Sequence, residues 1–216
     1  MKRHTALVLL FVLLCTVSKA QNVYSTESDV FGAKTFNFYG YDYTKLTLAD
    51  ATRIGQDLTK FFPGMSELLL KQFNQKEFEI MFKKGKGNIP FRTAPTDTLN
   101  AKINFGKIAA ADLKKIAPDT LSAMIKKYEL NEKEGIGSVI LLECFNRETK
   151  TISAYYVFFD ISTRAIIYSK YIESRDGNQY NYMADWKKAA LVAMERLLAS
   201  VVVDFNAYRK GQKSGK

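Results

Sequence analysis

Three consecutive apolar segments, residues 137–145, 151–160 and 165–174, constrain the fold more than any other feature of this chain. Each has strand length and is rich in β-branched and aromatic residues. The links between them are short and polar: Asn146-Arg147-Glu148-Thr149-Lys150, then Ile161-Ser162-Thr163-Arg164. A parallel pairing needs a crossover of about a dozen residues or more, so links this short impose consecutive antiparallel hairpins, a three-strand meander. The middle segment, Ile152-Ser153-Ala154-Tyr155-Tyr156-Val157-Phe158-Phe159, is apolar on both faces over much of its length. It belongs at the centre of a sheet covered at least partly on both sides.

The rest of the chain supplies further elements. Residues 36–43, rich in aromatics, read as a strand. Leu48, Ala51, Ile54 and Leu58 recur at helical spacing, with Asp50 in the first turn, which predicts a helix over 47–61. Pro63 should end it, and a second helix restarts over 64–73. Residues 78–83 fit no element clearly. Residues 84–99, with Pro90, Pro95 and several threonines, read as a long surface connection. A short strand over 101–105 and a short helix or turn over 110–116 follow. Pro118 starts a helix to 128 with Leu121, Met124, Ile125 and Tyr128 on one face. A final helix over 181–208 carries Trp186, Ala189, Ala190, Ala193, Leu197, Val201 and Phe205 on one stripe, a core face. The predicted fold is α+β: a mixed, largely antiparallel sheet with a C-terminal three-strand meander and helices packed mainly on one face. The sheet is mixed because the early strand reaches it through a helical crossover.

The front of the chain is an address. Met1-Lys2-Arg3-His4 is positive, an apolar run follows from Ala6 to Val17, and Ser18-Lys19-Ala20 places small residues where signal peptidase looks. The run is about 12 residues, whereas a spanning helix needs about 20. The expected organisation is a signal peptide over 1–20, a single α/β domain over 21–208 and a basic disordered tail over 209–216. The protein is then exported, periplasmic or secreted, with no integral membrane segment after cleavage. Lipid anchoring through Cys15 is the alternative, disfavoured because Leu14 before it is not small. Of the 32 basic residues three leave with the signal, which leaves 29 against 22 acidic residues and a net charge of +7. Lys83, Lys84 and Lys86 form one basic loop, and Arg209, Lys210, Lys213 and Lys216 lie in the tail.

Cleavage also removes His4, the one histidine, and leaves Cys144 as the one cysteine. Nucleophiles paired to histidine, imidazole metal sites and thiolate clusters are thereby excluded from the mature domain. No intrachain disulfide can form. Gly85-Lys86-Gly87-Asn88 does not open an apolar helix after a strand, so it is a solvated connection and not a phosphate-cradling motif. No catalytic residue, metal ligand or cofactor is expected, and the chain reads as a non-enzyme.

Glu134-Gly135-Ile136-Gly137 entering a strand, residues 157–168 with Asp160 at the turn, and a polar aromatic connection ending in Trp186 resemble a group of uncharacterised secreted bacterial proteins. The strand–Asp–turn–strand element also resembles envelope-assembly domains: the amino-terminal domain of the Tol-system translocation protein, and the periplasmic domains of curli-secretion and peptidoglycan-synthase-activator lipoproteins. The resemblance implies a non-enzymatic exported module whose partner is a protein or an envelope component.

The strongest candidate binding residues are Asp176, Asn178, Tyr180, Asn181 and Tyr182. Tyrosines beside amides and an acid can stack on sugar rings or peptides while their polar ends hydrogen-bond. The same residues also suit an ordinary strand-to-helix link, with Asn181 as a cap. This glycan or small-ligand site is the first alternative function, and a hydrolase built on paired carboxylates is the second. Glu143 and Asp160 are the acids to watch; a strand-end acid and a turn-initiating aspartate are their plainer roles. Cys144 reads as a small buried hydrophobe. The basic loop and tail suit an anionic polymer, but basic residues interleaved with aromatics are not contiguous, and nucleic acid is not the expected partner.

Overall fold

The computed structural model describes residues 23–49, 58–104, 108, 115–146, 149–175 and 183–214. These residues form six helices and a five-stranded mixed sheet. The meander is β3 (Ile136–Asn146), β4 (Thr151–Asp160) and β5 (Ile166–Arg175). Its strands pair antiparallel, Ile136 opposite Asp160 and Thr151 opposite Arg175. The β4–β5 turn is set by Asp160, whose Oδ1 accepts from the Ser162 hydroxyl at 2.6 Å and the Thr163 N–H at 2.7 Å. Arg164 takes the left-handed conformation that closes it (φ 62°).

The far edge of β3 is filled by two short strands in one line. Both β1 (Asn37–Asp42) and β2 (Thr47–Ala49) run parallel to β3, with Asn37 opposite Gly137 and Thr47 opposite Cys144. The helix predicted over 47–61 is thus corrected at its start: Thr47–Ala49 is a strand. Parallel pairing to residues almost a hundred positions away overrides the local helical spacing. The remainder of that segment to 57 lies outside the described residues.

The outer edge of β1 is closed too. The Phe38 N–H donates to Pro90 O, and the Arg92 N–H to Phe38 O. Helix α4 (Ala94–Asn100) supplies the rest, although that stretch reads as loop in sequence. Pro95 sits in its first turn, where a missing N–H costs nothing. Asn100 Nδ2 donates to Tyr41 O (2.7 Å) and its Oδ1 accepts from the Tyr43 N–H (3.1 Å). Thr96 donates its hydroxyl to Tyr39 O. An edge that would otherwise recruit another strand is thereby capped by side chains.

Helices α1 (Glu27–Gly32), α2 (Leu58–Gln72), α3 (Gln75–Met81) and α6 (Met183–Ser214) cover one face of the sheet. Helix α1 is started by a capping box that Thr26 and Asp29 form. Helix α2 continues across Pro63, where a stop is predicted, because Phe62, Met65 and Leu69 are all fully buried in the core. One lost backbone bond weighs less than that burial, at ~1.5–3 kcal/mol per large apolar side chain. Helix α6 buries the expected stripe from Ala189 to Phe205. It runs on to Ser214, so the segment expected to be a disordered tail from 209 is helical that far. On the opposite face α5 (Pro118–Ile125) lays Leu121, Met124 and Ile125 against Val139, Leu141, Val157 and Phe159. It stops three residues before the predicted end at 128. Residues 101–104 form a turn where a strand is predicted, and 115–117 carry no regular structure. The other residues of the short element predicted over 110–116 lie outside the description.

Candidate functional site

The C-terminal turns of α6 do not project free. They meet the connections after α1 and after α3 around a cleft of about 910 Å³. Ligand sites commonly enclose about 300–1,000 Å³, so this cleft has the size of one. Lys34, Lys83, Lys84, Arg209 and Lys210 line it, with Phe31 and Tyr208, and no carboxylate does among the described residues.

The loop that carries Lys83 and Lys84 is built, not loose. The Lys84 N–H bonds back to Glu79 O at 2.8 Å, and Lys83 takes a left-handed conformation (φ 51°) to leave the helix. Glu79 Oε1 accepts from the Gly87 N–H at 2.7 Å and from Gln75 Nε2 at 2.9 Å. The hydrogen bond from Gln75, with those from the loop backbone, holds the Glu79 carboxyl below the usual range. Gly87 turns there with φ 80°, a conformation that costs glycine nothing.

Two cations are drawn together on the floor. Lys84 Nζ donates to Ala33 O, and Arg209 Nη2 to Phe82 O at 2.5 Å. Lys84 Nζ lies 5.5 Å from the Phe205 ring centroid, and the Arg209 guanidinium 6.0 Å from the same ring. Partial burial, then the Arg209 charge, push the Lys84 ammonium down to about 8. Arg209 Nη1 is buried without a hydrogen-bond partner. Cation–π contact offsets part of this cost but supplies no counter-charge. The arrangement suits an anion.

In sequence the basic loop and the basic tail both suit an anionic polymer, but nothing there brings the two runs together. The fold joins them: Phe82 and Arg209 are 127 positions apart yet share a hydrogen bond. The signal available in sequence was that both runs are basic and lack acids.

The residues singled out for binding, Asp176, Asn178, Tyr180, Asn181 and Tyr182, lie outside the described residues, between the end of β5 and the start of α6. Glu143 is buried, and its carboxylate accepts from the Ile116 N–H and the Ser153 hydroxyl, both at 2.7 Å. It ties the segment before α5 to the sheet. With Glu173 and Tyr171 it borders a cavity of only about 150 Å³. Asp160 is fully buried, and besides its turn bonds its Oδ2 accepts from the Tyr24 N–H at 2.8 Å. Burial alone would raise its carboxyl, but the bonds from Ser162, Tyr24 and Thr163 outweigh that and hold it low. Its side-chain hydrogen bonds serve the turn and the N-terminal segment. Cys144 is buried, and burial pushes its thiol up. No group of three or more metal-binding side chains occurs among the described residues.

No family model matches the chain, and no curated protein matches it. Among solved structures it is similar to the crystal structure of lipoprotein GNA1162 from Neisseria meningitidis. Identity is 12%, the match covers 76% of this chain and 97% of that one, and the TM-score is 0.28. No helix among the described residues is long and apolar enough to cross a membrane.

Proposed function

We propose that this chain is a non-catalytic exported module that binds an anionic component of the cell envelope in the cleft between the loop after α3 and the end of α6. The observation that supports this reading most is the charge of that cleft: five Lys or Arg residues and, among the described residues, no acid around about 910 Å³. Like charges repel, so such a cluster costs stability unless something neutralises it. Lys84 and Arg209 are each held by a main-chain carbonyl, so their positions are set before a ligand arrives. The Met1–Ala20 pattern, read as a signal peptide, supports export to a compartment where anionic lipids, glycans and protein surfaces are available.

The test is saturable binding of the full chain to isolated envelope material, followed across ionic strength. Lys84→Glu combined with Arg209→Glu should abolish the saturable part while circular dichroism stays that of the parent. Partly buried cations are screened less than exposed ones, so part of the binding should survive about 0.5 M salt. Binding unchanged by the double substitution would contradict the proposal.

A further inference from the structure

Building on the anion-binding reading of the cleft, we infer that its occupant is a phosphomonoester in the dianionic form. Its terminal oxygens lie between Lys84 and Arg209, and the body that carries it lies along Tyr208. Charge is the first ground. A monoanion would leave more of the repulsion among five clustered cations uncompensated than a dianion does.

Donor geometry is the second. Lys84 has three N–H donors and gives one to Ala33 O. Arg209 has five and gives to Phe82 O from Nη2, while Nη1 has no partner. The unused donors arrive from two different segments, the loop after α3 and the last turns of α6. A carboxylate offers two oxygens in one plane, whereas a phosphomonoester offers three strong acceptors that can meet donors from both sides.

Size is the third. A bare ion would fill a small part of about 910 Å³, so the phosphate belongs to a larger molecule. The wall beside the cations is aromatic: the Phe31 and Tyr208 rings have centroids 5.9 Å apart. A Cβ on Gly32 would come within 3.3 Å of the Tyr208 hydroxyl, so glycine lets that ring lie against the chain. Phe31 is buried behind it, and the partly exposed Tyr208 ring can accept the apolar face of a sugar or glycerol body. Two sources share this chemistry: a soluble phosphorylated molecule and a lipid headgroup ending in a phosphomonoester.

The charged groups around Lys84 are Lys34 and Lys83 from the connections and Arg209 and Lys210 from α6. Glu79, the carboxylate on α3 that holds the loop, is engaged by Gly87 and Gln75. Affinity for a phosphomonoester should therefore trace a bell against pH. It rises through ~6, as the phosphate gains its second charge, and falls through about 8, as Lys84 loses its proton.

Isothermal titration of the full chain with glycerol 3-phosphate, at fixed ionic strength from about pH 5 to 9.5, tests this. The expected result is one site, the bell, and only the falling limb with inorganic sulfate. Acetate should bind at least about ten-fold more weakly, and Lys84→Gln or Arg209→Gln should each lose about ten-fold. Lys126→Gln, on the opposite face of the sheet, should change nothing. Phosphatidylcholine vesicles carrying one part in ten phosphatidic acid separate the sources. Co-sedimentation displaced by glycerol 3-phosphate supports the lipid; binding of the soluble ester with no vesicle capture supports the soluble molecule. Equal affinity for acetate and glycerol 3-phosphate, or no rising limb with the ester, overturns the phosphate assignment and leaves the anion cleft standing. No saturable binding of any of these anions overturns both.

Discussion

Gly137 is the position at which the smallest added group should do the most damage. It stands opposite Phe159 in the β3–β4 register. A Cβ there would lie 2.4 Å from Phe159 Cζ, 2.6 Å from Cε2 and 2.9 Å from Cε1. The ring cannot retreat easily. It stacks on Tyr39 with centroids 5.8 Å apart, has Tyr128 at 6.3 Å, and is fully buried. Tyr39 is itself held by Glu132, which accepts its hydroxyl at 2.9 Å. Overpacking a closed core costs about 1–3 kcal/mol, and an obstruction this close belongs in the upper half of that range. Gly137→Ala should therefore lower stability by about 2–3 kcal/mol, a fall of about 1 M in the urea midpoint at an m-value of ~2–3 kcal/mol/M. Equilibrium urea unfolding followed by tryptophan fluorescence and far-ultraviolet circular dichroism measures it. Phe159→Leu should be less harmful in combination with Gly137→Ala than in the parent, with a coupling of about 1–2 kcal/mol. A midpoint unchanged within about 0.2 M, or no coupling between the two positions, would refute the packing argument.

Three further outcomes are expected. Tyr41 is fully buried and its hydroxyl has no partner, so Tyr41→Phe should raise stability by about 1 kcal/mol in the same unfolding assay. Asp160→Ala removes the acceptor for Ser162, Thr163 and the Tyr24 N–H and should cost about 2–4 kcal/mol. The parent Asp160 is held below its ordinary value of 3.8, so its contribution is complete above that pH and is lost as pH falls through the lower folded value. The variant should accordingly show a shallower loss of stability below about pH 4. Cys144, buried with its thiol pushed up, should resist a thiol reagent at pH 8 in the native protein and react at once in denaturant.

The meander was legible because its evidence is local: strand-length apolar runs joined by links too short for anything but hairpins. The stripe on α6 was legible for the same reason, since helical spacing over several turns is a local pattern. The errors fall where distant partners decide. Thr47–Ala49 pairs with Cys144–Asn146, and no window around Leu48 contains that information. The α4 segment reads as loop because Pro95 and its threonines are poor helix formers, yet Thr96 and Asn100 serve β1 across more than fifty positions. The basic cleft was hidden for the same reason, since Lys84 and Arg209 meet only once α6 crosses the sheet to reach the end of α3. Lys84 reads as an ordinary surface lysine until Arg209 and Phe205 are placed beside it.

The most direct test of the anion cleft is to titrate the Lys84 ε-ammonium by nuclear magnetic resonance in the full chain, alone and with saturating sulfate. Its folded value of about 8 lies below the ordinary 10.5, so this group favours the fold fully above the ordinary value and works against it as pH falls through about 8. An anion bound at the ammonium reverses that balance. The expected result is a midpoint near 8 in the free protein that moves upward, toward the ordinary value, when the anion is present. A free-protein midpoint near 10.5, or one that does not move on adding the anion, would contradict the assignment of this cleft as the binding site.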